Sequence, residues 1–176
     1  AKWLAITMMK INYRPDIDGL RALSVIAVIF YHADFNFENY YFFEWGYLGV
    51  DVFFVISGYL ITQIIASENE RKIFSLKNFY IKRFKRLFPA LLFVSLLSIF
   101  FGAIILDPES LTNLNLSSLT SILFTSNIFF WLESNYFDEA SNLKPLLHTW
   151  SLGIEMTFYL IFPALFIFLN KKMKNE

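Results

Sequence analysis

Long stretches of this 176-residue chain are free or nearly free of charged side chains. Phe88–Leu106 runs for 19 residues without a charge, the length needed to cross a hydrocarbon core roughly 30 Å thick. Gly46–Ala66 is 21 residues interrupted only by Asp51, and Trp150–Leu169 is 20 residues interrupted only by Glu155. Gly19 to about Phe35 is less clean, carrying Arg21 and His32 with Asp34 at its edge. A fifth stretch, Leu119–Leu132, has 14 residues and is too short for a full crossing. Helices buried in soluble proteins seldom stay apolar on every side for so long. The pattern predicts an all-α, polytopic membrane helix bundle with four full spans plus one short membrane-embedded or interfacial helix.

Composition agrees and narrows the classes. Hydrophobic residues make up 56% of the chain and charged residues only 17%, which excludes intrinsic disorder. The absence of cysteine excludes a disulfide scaffold and a thiolate metal site, and no metal is expected. A formal net charge of zero gives no reason to expect nucleic-acid binding. The first span is not a cleavable signal peptide, since Tyr13-Arg14-Pro15-Asp16 precedes it and no small-residue cleavage site follows.

Charge by segment sets the orientation. Seven of the 15 basic residues (Arg71, Lys72, Lys77, Lys82, Arg83, Lys85, Arg86) lie in the linker 67–87, and the tail reads Lys171-Lys172-Met173-Lys174. The linker 34–45 has three acids and no base. Lys and Arg concentrate on the cytoplasmic side, so the N-terminus, the 67–87 linker and the tail are expected inside. If 119–132 does not cross, residues 107–149 form one outer region with five acids and only Lys144.

Ionisable groups inside a bilayer cost a few kcal/mol each on insertion scales, so each needs a partner or a task. His32 lies 11 residues after Arg21, roughly 16 Å nearer the outer face. Asp51 opens the second span and His148, Ser151 and Glu155 open the last, so all are expected in the outer half at similar depth. A carboxylate bonded to one imidazole nitrogen leaves the other as a general base able to deprotonate an alcohol. The competing reading makes these groups inter-helix glue. At the inner end, Arg83 and Arg86 are spaced i, i+3, and two guanidiniums there can clamp a phosphate or simply anchor the span to anionic lipid.

At these residues a family resemblance emerges. Tyr13-Arg14-Pro15-Asp16-Ile17-Asp18-Gly19-Leu20-Arg21-Ala22 with His32 resembles the opening of acyltransferase family 3, the bacterial membrane O-acyltransferases of cell-surface glycans. The segments Gly46–Thr62, Phe79–Pro89 (with its Arg-x-x-Arg) and Leu146–Leu160 are similar to three further motifs, in the same order. The resemblance implies acetyl-CoA as acyl donor on the cytoplasmic side and a polysaccharide or lipopolysaccharide hydroxyl as acceptor. It implies His32, Asp51 and Glu155 as catalytic candidates, Arg14, Arg83 and Arg86 as donor-binding candidates, and no metal. It also implies a multi-pass protein of the bacterial inner membrane with its N-terminus cytoplasmic.

Residues 1–12 are read as a leader, 13–170 as the N-terminal half of the acyltransferase domain and 171–176 as a basic tail. Family members have about ten spans, so the rival expectation is a truncated, non-catalytic bundle or a split subunit needing a second chain. Acyl-CoA, the glycan acceptor and membrane lipids are the expected partners.

Overall fold

A computed structural model describes residues 14–33, 36–37, 40–41, 44–133 and 144–174. The leader 1–12, Tyr13, Asp34, the acids Asp138 and Glu139 and the last two tail residues lie outside the described residues. The chain divides into two compact units, with the boundary between Phe74 and Ser75.

The first unit is a helical hairpin. Helix α1 (Pro15–His32) opens with proline in its first turn beside Asp16 and Asp18, where a fixed φ and negative charge both favour a helix start. A minimal antiparallel pair, β1 (Asn36–Phe37) and β2 (Tyr40–Tyr41), follows. A 3-10 turn, Glu44–Tyr47, then feeds α2 (Leu48–Glu70).

Two glycines set how closely these helices pack. A Cβ on Gly46 would sit 2.3 Å from the Ala27 carbonyl oxygen, and one on Gly49 would sit 2.5 Å from that of Ser24. Small residues thus allow backbone to meet backbone. The Arg14 guanidinium donates to the Tyr59 hydroxyl at 3.3 Å. Arg14 to Ser24 and Gly49 to Tyr59 are ten residues each, so α1 and α2 run antiparallel in constant register.

The second unit is built on α3 (Leu76–Ile105), 30 residues long and about 45 Å at 1.5 Å per residue. Ser75 caps its start by accepting from the Asn78 N–H at 3.4 Å. Asp107 caps α4 (Pro108–Ile122), accepting from the Glu109 and Ser110 N–H groups at 3.0 and 3.2 Å. The Ser110 side chain foremost, and then these N–H groups, hold the Asp107 carboxyl below the usual carboxylate range. Leu114 of α4 lies against Gly102 of α3.

Helix α4 stops because Phe124 adopts φ 58°. The Thr125 N–H bonds back to the Thr120 carbonyl at 2.8 Å, a closure that satisfies the last carbonyls. Helix α5 (Ser126–Glu133) has eight residues, and α6 (Thr149–Lys174) ends the unit. Where α4, α5 and α6 meet, the core is hydroxylic. Ser121 Oγ and Thr149 Oγ1 bond at 2.8 Å, and Ser126 Oγ donates to the Thr149 carbonyl at 2.8 Å.

Among the described residues three helices are long and apolar enough to cross a membrane: 44–70, 76–105 and 149–171. Their flanks stay apolar outward, with Val55, Phe93, Ile104, Ile105, Leu160 and Phe168 all exposed, as lipid contact requires. The fourth crossing, expected of α1, is not among these three, and the fifth stretch differs from its expectation. Helix α1 carries Asp16, Asp18 and Arg21 within 18 residues, so its charge-free length is only the 11 residues from Ala22 to His32. The stretch 119–132 is not one short helix either. It is divided at Phe124 between the end of α4 and an α5 of about 12 Å, too short to span.

Candidate functional site

In the first unit, His32 is the last residue of α1, is exposed, and points Nδ1 at the Val28 carbonyl oxygen 2.9 Å away. A carbonyl oxygen only accepts, so Nδ1 carries the hydrogen and the neutral ring keeps its lone pair on Nε2. The Tyr31 ring meets the imidazole edge-on at 5.3 Å, and Tyr31 in turn meets Tyr47 at 5.9 Å. The backbone of α1 therefore orients the imidazole, where a carboxylate was expected to.

Asp51 does not share that level. The register that sets Ala27 opposite Gly46 and Ser24 opposite Gly49 sets Asp51 opposite Ala22. Ala22 is ten residues below His32, about 15 Å along α1. Asp51 is exposed in the first turn of α2, where a carboxylate is favoured by the helix dipole. The expectation of equal depth failed because α2 begins after a 3-10 turn that already packs on the His32 end of α1.

At the other end of the hairpin, Arg14 makes a bidentate pair with Asp16, Nε–Oδ1 2.9 Å and Nη2–Oδ2 2.7 Å. The hydrogen bond from Arg14 holds the Asp16 carboxyl down at about 2, and the same bond raises the guanidinium above its ordinary value. Tyr59 receives both Arg14 and the Gln63 amide, the latter at 2.5 Å. The fork that was expected to bind an acyl donor is thus occupied by a carboxylate of its own helix.

In the second unit α3 and α6 bring two of the candidate residues together. The Tyr80 hydroxyl donates to the Leu160 carbonyl at 2.9 Å. The Arg83 guanidinium lies 5.6 Å from the centre of the Phe79 ring and 5.5 Å from that of Tyr159. Phe79 and Tyr159 meet edge to face at 6.5 Å, and both are buried. One turn along α6, the Tyr159 hydroxyl donates to Glu155 Oε1. Arg83, Tyr159 and Glu155 are therefore linked in sequence across two helices. Arg86, three residues on, is exposed, so the two arginines are not equivalent.

Glu155, in the second turn of α6, lies near the basic end of α3. Tyr159 is level with Arg83 at the basic end of α3, and Glu155 is one turn, about 6 Å, beyond it. Thr149 is about 15 Å from Tyr159, whereas Ile105 is about 33 Å from Arg83. Helix α6 thus starts part-way along α3, not at its far end. His148 precedes α6 in an exposed turn, and the Ser151 hydroxyl donates to its carbonyl at 3.0 Å. Tyr159 is the residue the sequence reading passed over. Its i, i+4 spacing from Glu155 was the available signal.

A small cavity between α4 and α5, bordered by Ser117, Phe130 and the Glu133–Lys144 ion pair (3.1 Å), has about 20 Å³ of free space. That holds about one water, and none of the six candidate residues borders it.

Three helices long and apolar enough to cross a membrane, among the described residues, make this a membrane protein, with an oriented imidazole in its first unit and an arginine against two aromatic rings in its second. Residues 14–175 match the family profile described as an acyltransferase domain. The chain belongs to this family, acyltransferase family 3. It is 43% identical over 166 residues to the peptidoglycan O-acetyltransferase OatA of Listeria monocytogenes, covering 93% of this chain and 26% of the relative. It is 40% identical over 165 residues to the O-acetyltransferase OatA of Staphylococcus aureus strain NCTC 8325, again 93% and 26%. The chain spans about a quarter of the length of these relatives. No solved structure matches.

Proposed function

We propose that this chain is the membrane segment of an O-acetyltransferase that moves an acetyl group from acetyl-CoA to a sugar hydroxyl of a cell-surface glycan. The observation that carries the reading is the Nδ1–Val28 hydrogen bond of His32, because it leaves Nε2 as the base. The name of the Listeria relative makes peptidoglycan the preferred acceptor, ahead of the lipopolysaccharide that the family resemblance also allowed.

In the reaction, Nε2 of His32 takes the proton of the acceptor hydroxyl as its oxygen attacks the thioester carbonyl. The carbon–sulfur bond breaks, the thiolate of coenzyme A leaves, and the proton returns to sulfur. The products are the acetyl ester and free coenzyme A. Arg83 and Arg86 bind the donor's phosphates from the cytoplasmic side of the bacterial inner membrane. Arg14, paired with Asp16, would bind phosphate only by exchanging that carboxylate for it. Glu155 supports Arg83, and Asp51 stabilises the start of α2. Helix α1 makes the fourth crossing, with its N-terminus cytoplasmic and its His32 end outward.

The test is transfer of radiolabelled acetyl groups from added acetyl-CoA to glycan enclosed in the lumen of inverted vesicles containing the chain. Arg83→Ala is expected to raise the donor concentration for half-maximal transfer by roughly 10-fold or more, the worth of a charge-assisted hydrogen bond. No label on glycan, from protein shown to be inserted, would refute catalysis by this chain alone. Label appearing only with a co-expressed second chain would favour the rival reading, a bundle that needs a partner.

A further inference from the structure

We infer that Tyr159 is a positioning residue for the acyl donor: its ring holds Arg83 in place while its hydroxyl ties Glu155 to the same point. The inference rests on the reading of Arg83 as a donor-binding residue.

An arginine at the membrane boundary has a long, mobile side chain, and binding through it is weakened by the entropy of fixing that chain. A guanidinium packed over aromatic faces is held by the ring quadrupoles while its in-plane N–H groups point outward. Phe79 supplies one ring from the same helix, one turn before Arg83, and Tyr159 supplies the second from α6. Tyr159 is only 5% exposed and is braced edge-on by Phe79, so it is a fixed wall.

Its hydroxyl has a separate task. Glu155 is the one charged residue in the apolar run 150–169, and a carboxylate there needs a donor. Tyr159 provides one from the next turn. The same tyrosine therefore fixes a cation with its face and an anion with its edge. The Tyr80–Leu160 bond, one residue further along α6, pins the two helices at this level.

Two variants separate the parts. Tyr159→Phe keeps the ring and loses the hydroxyl, and Tyr159→Leu loses both. The first readout is phenylglyoxal labelling of Arg83, quantified by mass spectrometry with exposed Arg86 as internal standard. Labelling of Arg83 relative to Arg86 is expected to rise several-fold in Tyr159→Leu and to stay at the wild-type level in Tyr159→Phe. The second is equilibrium binding of radiolabelled acetyl-CoA to the protein in lipid nanodiscs. Tyr159→Leu is expected to weaken it by roughly 3- to 30-fold, the range of a cation–π contact, and Tyr159→Phe by less than about 3-fold.

An unchanged labelling ratio in Tyr159→Leu would overturn the inference whatever the binding result. So would a raised ratio with donor affinity left intact. Wild-type protein that binds no acetyl-CoA, or an Arg83→Ala variant that binds it normally, would instead refute the donor-site reading on which the inference stands. Tyr80→Phe controls for general loosening of the α3–α6 contact, and a rise in its Arg83 labelling equal to that of Tyr159→Leu would count against a specific role.

Discussion

Adding one methyl group at Gly46 tests how the His32 end of α1 is held. A Cβ there would lie 2.3 Å from the Ala27 carbonyl oxygen and 2.7 Å from Tyr31 Cβ. Non-bonded heavy atoms settle at roughly 3.5–4.0 Å, so α1 must retreat by about 1 Å or more. The nearest obstacle is backbone, which cannot rotate away. Overpacking of this kind costs about 1–3 kcal/mol, and alanine recovers up to about 1 kcal/mol of glycine's entropic penalty. The net expectation for Gly46→Ala is a loss of about 1–2 kcal/mol. Gly19→Ala is the matched control, because nothing lies within 4 Å of a Cβ at that position. It is expected to be neutral or to stabilise α1 by about 0.5–1 kcal/mol. Reversible unfolding in mixed detergent micelles, followed by circular dichroism, measures both. Acetyl transfer should also fall sharply in Gly46→Ala protein that remains folded, since a displacement of about 1 Å can cost roughly 10²-fold in rate. Equal shifts of the same sign for the two glycines would refute the close backbone packing from which the α1–α2 register, and the depth of Asp51, are derived.

Two further expectations concern polar groups. Thr149→Val removes the hydroxyl that bonds Ser121 and the Leu146 carbonyl at 2.8 and 2.7 Å inside the buried junction of α4, α5 and α6. It should cost about 0.5–1.5 kcal/mol in the same unfolding assay, the net worth of a hydrogen bond, because Ser121 Oγ keeps the Ser117 carbonyl at 2.6 Å and the Leu146 carbonyl keeps the Thr149 N–H at 3.0 Å. Asp16, held at about 2 by Arg14 against an ordinary 3.8, has its folded value depressed. Its contribution is therefore complete above about pH 4–5 and is lost as pH falls toward 2. Asp16→Asn should remove that acid-limb dependence of the unfolding midpoint.

How far the residues alone announced this structure follows from what kind of signal each feature leaves. The three long apolar runs became α2, α3 and α6 because backbone in lipid must satisfy its own hydrogen bonds, and length with composition is enough to show that. The end of α4 was hidden, since Phe124 in a left-handed conformation is a tertiary outcome that no glycine marks. Its beginning was not hidden. Asp107-Pro108-Glu109 is a cap, a first-turn proline and a first-turn acid, but the segment was read only for its charge, as part of an outer region. Equal depth for Asp51 and His32, counted from an assumed membrane boundary, failed because it depends on where α2 starts relative to α1, which is set by Gly46 and Gly49. The level of Glu155 along α3 was not legible either, since the Tyr80–Leu160 bond sets it. Arg83 and Glu155 were legible as candidates, and their link through Tyr159 was not, because a tyrosine in an aromatic-rich helix looks like core.

The most direct measurement is acetyl transfer to glycan by His32→Ala protein, beside wild type, in vesicles where both are shown to be inserted and equally stable. With His32 Nε2 as the base, the variant should lose roughly 10²- to 10⁴-fold in rate while its affinity for acetyl-CoA stays at the wild-type level. Transfer retained within a few-fold of wild type would contradict the account, and the proton of the acceptor hydroxyl would have to leave by another route.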